Sequence, residues 1–310
     1  MPTLNLGTRG SALALWQANW TKSALERLWP DLKVELVPIK TTGDKILDVP
    51  LAKIGGKGLF TKELDEALLD GRIDLAVHSL KDVPFQLPDG IRFAAIPERE
   101  DPRDAFVSRG TKLRDLRPDA RVGTSSLRRQ VQLRHRFPSL NLETLRGNVD
   151  TRLRKLDAGE FDAVILAAAG LKRLGHESRI TEFLEDDIMI SAVGQGALGI
   201  VCRSTDNMTL HFAEVLDHAA TRIAVTAERG LLRALGGSCQ VPVAGKASLQ
   251  GGRLSIKGLI ASLDGRRVIF DELSGPDARP AELGLQLGQK LLAMGAGDIL
   301  DEIAQYGAER

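Results

Sequence analysis

Short apolar strands alternate with amphipathic helices over the first two-thirds of the chain, and the alternation starts twice. Strand-helix-strand succession builds parallel sheets covered by helices, so this pattern constrains the fold more than any single residue does. Residues 4–9 read as a strand. Ser11 caps a helical run to about residue 28, with Leu13, Trp16, Trp20 and Ala24 near one face. Residues 34–37 form a second strand, 59–69 a helix, and 73–77 a strand apolar enough to be buried on both faces. The run Glu98-Arg99-Glu100-Asp101-Pro102-Arg103-Asp104 then reads as a charged, proline-bearing hinge. Beyond it, residues 121–123 are a strand end, Thr124-Ser125-Ser126 a cap, 127–137 a helix, 140–145 a strand, 149–156 a helix and 163–168 an apolar strand. Two α/β lobes of similar design are expected.

The last third departs from this scheme. A helix over residues 219–235 runs into Gly236-Gly237-Ser238-Cys239-Gln240-Val241-Pro242. Two glycines stop the helix and a proline fixes the backbone, so Cys239 is presented on a stiff, small-residue loop. A thiolate there is a nucleophile or a covalent tether; the other reading is a buried small hydrophobe. Residues 246–249 and 254–260 flank Gln250-Gly251-Gly252-Arg253, a hairpin signal. Residues 268–270 add a strand and 281–293 a helix, completing a small α+β domain.

Among 310 residues, 42 are basic and 41 acidic, for a net charge of +1. Global charge argues against a nucleic-acid coat or a membrane-surface binder, so affinity for anions has to come from local clustering. No apolar run reaches the roughly 18 residues needed to span a bilayer. Met1-Pro2-Thr3-Leu4-Asn5-Leu6 is not a secretory signal, and two cysteines give no disulfide framework. A cytoplasmic protein is expected.

Such clusters exist. At Thr8-Arg9-Gly10-Ser11 a strand turns into a helix, and backbone N–H groups, a hydroxyl and a guanidinium converge as at anion sites. Gly123-Thr124-Ser125-Ser126-Leu127-Arg128-Arg129 repeats the idea. Two arginines in the first turn of a helix oppose its dipole by about 0.3–1 kcal/mol each, which calls for an anion. Arg146-Gly147-Asn148 and Arg152 lie at the end of the next strand and the start of the next helix. Carboxyl ends of strands line the ligand crevice of open α/β sheets, and guanidinium groups suit carboxylate or phosphate, so a polyanionic ligand is expected. Arg134, His135 and Arg136 read as a solvated helix face.

His78-Ser79-Leu80-Lys81-Asp82-Val83-Pro84 closes the strand at 73–77. Asp82 there could stabilise a developing cation, relay a proton, or form a structural ion pair. Ala52-Lys53-Ile54-Gly55-Gly56-Lys57-Gly58-Leu59-Phe60 lacks the first glycine and the hydroxyl residue of a phosphate loop, and reads as part of a basic lid over about residues 42–58. Gly194-Gln195-Gly196-Ala197-Leu198-Gly199 matches a dinucleotide pattern but leads into a strand, not a helix. It reads as a return crossing, with Cys202 in the core. The five histidines show no metal-ligand spacing.

Taken in order, these segments resemble the porphobilinogen deaminase (hydroxymethylbilane synthase) family over nearly the whole chain. The resemblance implies an α/β fold of two periplasmic-binding-protein-like lobes with mixed sheets plus a small α+β C-terminal domain. Lobe 1 would take residues 1–98 with a return segment 197–216, lobe 2 residues 103–192, and the C-terminal domain residues 219–310. It further implies a transferase of heme biosynthesis. Such an enzyme condenses four porphobilinogen molecules on a tethered dipyrromethane cofactor, releases ammonia, and hydrolyses off the linear tetrapyrrole.

By the same match Cys239 would carry the cofactor as a thioether, and Asp82 would be the catalytic carboxylate. Lys81, Asp82, Thr124, Ser125, Ser126, Arg128, Arg129, Arg146 and Gly147 would contact the cofactor. Arg9, Ser11, Lys57, Phe60, Arg152, Arg173 and Gln195 would contact substrate. A monomer is expected, with no metal, nucleic-acid or membrane partner. Each pyrrole ring carries two carboxylates, and a charge-assisted hydrogen bond contributes roughly 1.5–3 kcal/mol, so several arginines suit a growing polyanion. Ser238 departs from the glycine that many relatives have before the cysteine. A non-enzymatic two-lobed anion-binding protein is the alternative, and it would need neither Asp82 nor the Cys239 domain.

Overall fold

The computed structural model describes residues 1–45, 58–236 and 241–308, which fall into two units. The first holds the described residues of Met1–Leu47, Gly56–Glu100 and Ala197–Arg222; the second holds those of Asp101–Gly196 and Ile223–Arg310.

The first unit is built on β1 (Thr3–Thr8), β2 (Lys33–Pro38), β3 (Leu75–Ser79), β4 (Ile91–Ala95) and β10 (Leu198–Arg203), in the order β2-β1-β3-β10-β4. β1 runs parallel to β2 and β3, while β10 is antiparallel to β3 and β4. Helices α1 (Ala12–Leu28), α2 (Thr42–Lys45), α3 (Lys62–Leu69) and α7 (Asn207–Ala213) complete it. Ser11 caps α1, its hydroxyl accepting from Ala14 N–H at 3.3 Å. The buried face of α1 is Ala14, Gln17, Ala18, Thr21, Ala24 and Leu25, the three- and four-residue spacing of one helical stripe. Leu4, Leu6, Val34, Leu75, Ile200 and Cys202 lie in one apolar core, so Cys202 is a small core residue.

The second unit repeats the strand order. β5 (Asp104–Ser108), β6 (Arg121–Gly123), β7 (Asn141–Glu143), β8 (Ala163–Ala167) and β9 (Glu182–Leu184) form a sheet ordered β7-β6-β8-β5-β9. β6 is parallel to β7 and β8; β5 is antiparallel to β8 and β9. Helices α4 (Leu127–Arg136), α5 (Val149–Asp157) and α6 (Ala168–Arg173) follow β6, β7 and β8. In each sheet four of the described strands thus run one way and one, β10 or β5, runs against them. Carboxyl ends of the parallel strands carry the turns that the sequence marks as anion sites.

The same unit contains a three-stranded antiparallel sheet of β11 (Val243–Gln250), β12 (Arg253–Ala261) and β13 (Val268–Pro276). With it come α9 (Pro280–Leu291), α10 (Gly297–Ala308) and the part of α8 (Ala219–Ala234) from Ile223 on, whose Ala224, Ala227 and Leu231 share an apolar core with Leu254, Ile256 and Leu287. The fully buried Glu228 of α8 accepts from Gly194 N–H at 2.7 Å and Ala247 N–H at 2.8 Å. Asp186 accepts from Lys246 and Lys257 at 2.7 and 2.9 Å. These contacts tie the small sheet to the segments around β9 and β10.

Four details differ from expectation: first, the buried stripe of α1 shares only Ala24 with the expected face of Leu13, Trp16, Trp20 and Ala24. The charged segment 98–104 is not all connection, because Asp104 already belongs to β5. β4, β5 and β9 have no counterpart in the sequence reading. Arg134 and His135 are not a free solvated face: Arg134 donates to Leu263 O at 2.6 Å, and His135 Nδ1 meets Gly265 O at 3.1 Å. Both carbonyls belong to the β12–β13 turn, so the basic end of α4 binds that turn.

Candidate functional site

In the first unit, β3, the turns after β1 and β3, helix α1 and the turn before α3 bring Arg9, Ser11, Gln17, Phe60, Thr61, His78, Ser79 and Asp82 around one small cavity. The Arg9 guanidinium lies 4.3 Å from the Phe60 ring centre, a cation–π contact that orients a half-buried cation. Gln17 Nε2 donates to Ser79 Oγ at 2.8 Å. Asp82 ends a 3-10 turn over Leu80–Asp82, held by Leu80 N–H to Ala197 O at 3.0 Å and Val83 N–H to Leu80 O at 3.1 Å. Its half-buried carboxylate makes no hydrogen bond or ion pair with any described residue, Lys81 included. His78 is 6% exposed; burial, and then the Arg9 charge, push its pKa down to about 4.

In the second unit the anion at the start of α4 comes from the chain itself. The fully buried Asp104 accepts from Arg128 Nη1 at 2.7 Å, Arg129 Nε at 2.9 Å and Gln195 Nε2 at 3.0 Å. Burial alone would raise this carboxyl, but the two guanidinium charges outweigh it and hold Asp104 well below the usual carboxylate range. Arg128 also donates to Ile190 O at 2.7 Å and Arg129 to Ile165 O at 2.9 Å. The expectation that these arginines need an anion is met by Asp104, which the sequence reading left in a hinge. Ser126 occupies the N-cap position without a side-chain cap bond; instead its N–H donates to Thr124 Oγ1 at 3.3 Å. Thr124 is fully buried and Ser125 half-buried.

Arg146 and Arg152 stand apart from this closed network. Neither has a carboxylate partner among the described residues, and Arg146 Nη1 is buried with no hydrogen bond. Arg152 Nε donates to Gly147 O at 2.8 Å. Desolvation, and then the Arg129 and Arg146 charges, lower Arg152 to about 10. Gly147 has φ 118°, a left-handed conformation that favours glycine, and a Cβ there would lie 2.6 Å from Thr151 Cγ2. Asn148 then caps α5, accepting from Thr151 N–H at 2.8 Å. Arg173 donates to Gly196 O at 2.7 Å, and Gln195 Nε2 also to Pro102 O at 2.7 Å, so both hold the segment before β10. Cys239 and Lys57 lie outside the described residues, as do residues 46–57 of the expected lid.

A family model described as porphobilinogen deaminase, dipyromethane cofactor binding domain, matches residues 4–211, and one described as porphobilinogen deaminase, C-terminal domain, matches residues 222–293. The porphobilinogen deaminase of Pelobacter propionicus is 55% identical over 302 residues, 97% of each chain. That of Geobacter sulfurreducens is 52% identical over 307 residues, 99% of this chain and 96% of the relative. Among solved structures, the methionine-binding protein MetQ aligns with a TM-score of 0.44 and 14% identity, over 69% of this chain and 89% of its own.

The described residues fit a dipyrromethane. Arg128 and Arg129 share a single paired carboxylate, Asp104, and the Arg129 and Arg146 charges also bear on Arg152, so the cluster retains excess positive charge. The buried Arg146 Nη1 lacks an acceptor that a pyrrole carboxylate supplies. The cofactor-binding match takes in both five-stranded sheets, and relatives above 50% identity run nearly end to end with this sequence. The chain belongs to the porphobilinogen deaminase family.

Proposed function

We propose that this chain condenses porphobilinogen molecules head to tail on a covalently held dipyrromethane, releases one ammonia per condensation, and frees the product as the linear tetrapyrrole hydroxymethylbilane. The observation that carries the reading at the site is the pair Arg146 and Arg152, cations without a carboxylate partner among the described residues of a dipyrromethane-binding domain. When bound, the dipyrromethane supplies the pyrrole terminus that a substrate joins, with Cys239 as its tether.

Asp82 brings an uncompensated carboxylate on a turn fixed by backbone bonds. It accepts from a pyrrole N–H and offsets the positive charge that builds on the substrate ring as ammonia departs. Arg9, oriented on Phe60, takes a substrate carboxylate with help from the Ser11 hydroxyl. Arg146 and Arg152 hold further carboxylates, with Gly147 allowing the tight turn between them. Arg128 and Arg129 are held by Asp104, so they contribute a fixed positive field and Arg128 keeps a spare Nε–H. Thr124, Ser125, Ser126 and Lys81 supply further donors to the cofactor; Arg173 and Gln195 border the substrate.

No described helix is long and apolar enough to cross a membrane. The proposed setting is the cytoplasm, as a monomer that binds no nucleic acid. Three separate sheets support a division into lobe 1 (1–98 with 197–216), lobe 2 (103–192) and a C-terminal domain (219–310). Intact mass spectrometry of the purified protein tests the function. The mass exceeds the sequence value by two pyrrole units, and Cys239→Ala loses the increment. An unmodified mass together with no consumption of porphobilinogen would sink the reading.

A further inference from the structure

Buried polar nitrogens in folded proteins are nearly always hydrogen-bonded, because leaving one dry and unpaired costs roughly 1–3 kcal/mol. His78 Nε2 is buried and has no partner among the described residues. His78 is among the residues lining the cavity that Arg9, Ser11, Phe60, Ser79 and Asp82 also line. With its pKa down at about 4, the imidazole is neutral at physiological pH. Thr61 Oγ1, at the same cavity, is likewise buried without a hydrogen bond among the described residues, while Arg9 lies on Phe60 and Gln17 donates to Ser79. A neutral ring nitrogen sharing a cavity with an uncompensated carboxylate suits a cation that carries N–H donors. Arg9 suits the opposite kind of group, a carboxylate.

Resting on the function proposed above, we infer that His78 and Asp82 together form the subsite for the aminomethyl ammonium group of porphobilinogen, with His78 Nε2 accepting one of its N–H bonds. The cavity then sorts the two ends of the substrate by charge. Its carboxylate goes to Arg9, and its leaving group goes to His78. When the carbon–nitrogen bond breaks, its electron pair stays on nitrogen, neutral ammonia leaves, and the positive charge passes to the ring that Asp82 faces. A protonated imidazole would repel the incoming ammonium, which is why a ring kept neutral by burial and by Arg9 matters here.

Two ligands separate this role from a structural one: porphobilinogen, and an analogue with methyl in place of aminomethyl and both carboxylates retained. In His78→Phe, KM for porphobilinogen rises about tenfold, the loss of one charge-assisted hydrogen bond. The inhibition constant of the methyl analogue stays within about twofold, and cofactor loading by intact mass is unchanged. His78→Gln, which keeps a neutral acceptor, recovers most of the difference. In ¹⁵N-labelled wild-type protein the His78 Nε2 resonance moves on adding porphobilinogen and stays put with the methyl analogue. Equal losses for both ligands, no loss for either, or a resonance blind to porphobilinogen overturns the assignment. A failure of the functional reading is recorded separately, as absence of wild-type turnover in the same assay.

Discussion

Asp104 shows how one buried side chain can change the meaning of its neighbours. Two arginines at the start of a helix are a sequence-level sign that an anion is needed, and no sequence pattern says whether that anion is a ligand or a residue. Here the acid sits 24 and 25 positions upstream, at the start of an interior strand and inside a run that reads as a charged hinge. Removing one partner of a buried ion pair leaves uncompensated charge and costs about 3–5 kcal/mol. Asp104→Asn therefore lowers unfolding stability by that order at neutral pH, measured by urea denaturation. Because the folded-state carboxyl ionises well below its unfolded range, this contribution is complete above about pH 4 and fades as pH falls through the folded-state value. Wild type and variant accordingly converge only in strong acid. His78 was legible as part of a motif, but its unsatisfied nitrogen exists only once β3 and its neighbours enclose it.

At the scale of elements, α3 carries a group with the opposite pH behaviour. Asp65 lies in its first turn and is buried, and desolvation raises its carboxyl to about 6. An acid whose folded pKa is raised loses stability as pH climbs from its unfolded value toward the folded one. Asp65→Asn matches wild type below about pH 4 and is the more stable protein above pH 6, read from urea midpoints across that range. α8 and α9 present a different constraint. A methyl group on Gly284 would run into the Ala227 carbonyl, so the two helices approach backbone to backbone. Gly284→Ala destabilises the protein by about 1–3 kcal/mol through overpacking, measured by thermal or urea unfolding. α8 and α9 were legible as helices over about residues 219–235 and 281–293. β4 and β9 were not legible.

Over the whole molecule, the twice-started alternation of strand and helix is the part of the fold that the sequence displays most openly. Residues 3–38 and 121–143 show it directly, as parallel pairs joined by a helix. The antiparallel strands were harder to read: β5 begins in the presumed hinge, and β10 follows a glycine-rich run that imitates a nucleotide motif. The clustering of arginines at strand ends was also visible in the sequence. What remained hidden was which of them the protein neutralises internally, a question of long-range contact rather than of pattern.

The strand order has a consequence for how the chain is made. The second sheet draws all its strands from residues 104–184, whereas the first needs Leu198–Arg203 between β3 and β4. On a ribosome the later-encoded sheet is therefore the first to hold all its strands. The N-terminal one waits, its β3 and β4 edges open, for about a hundred residues of further synthesis. Nascent chains stalled before residue 198 expose those edges, so translation speed through the second sheet sets how long the first is open to mispairing.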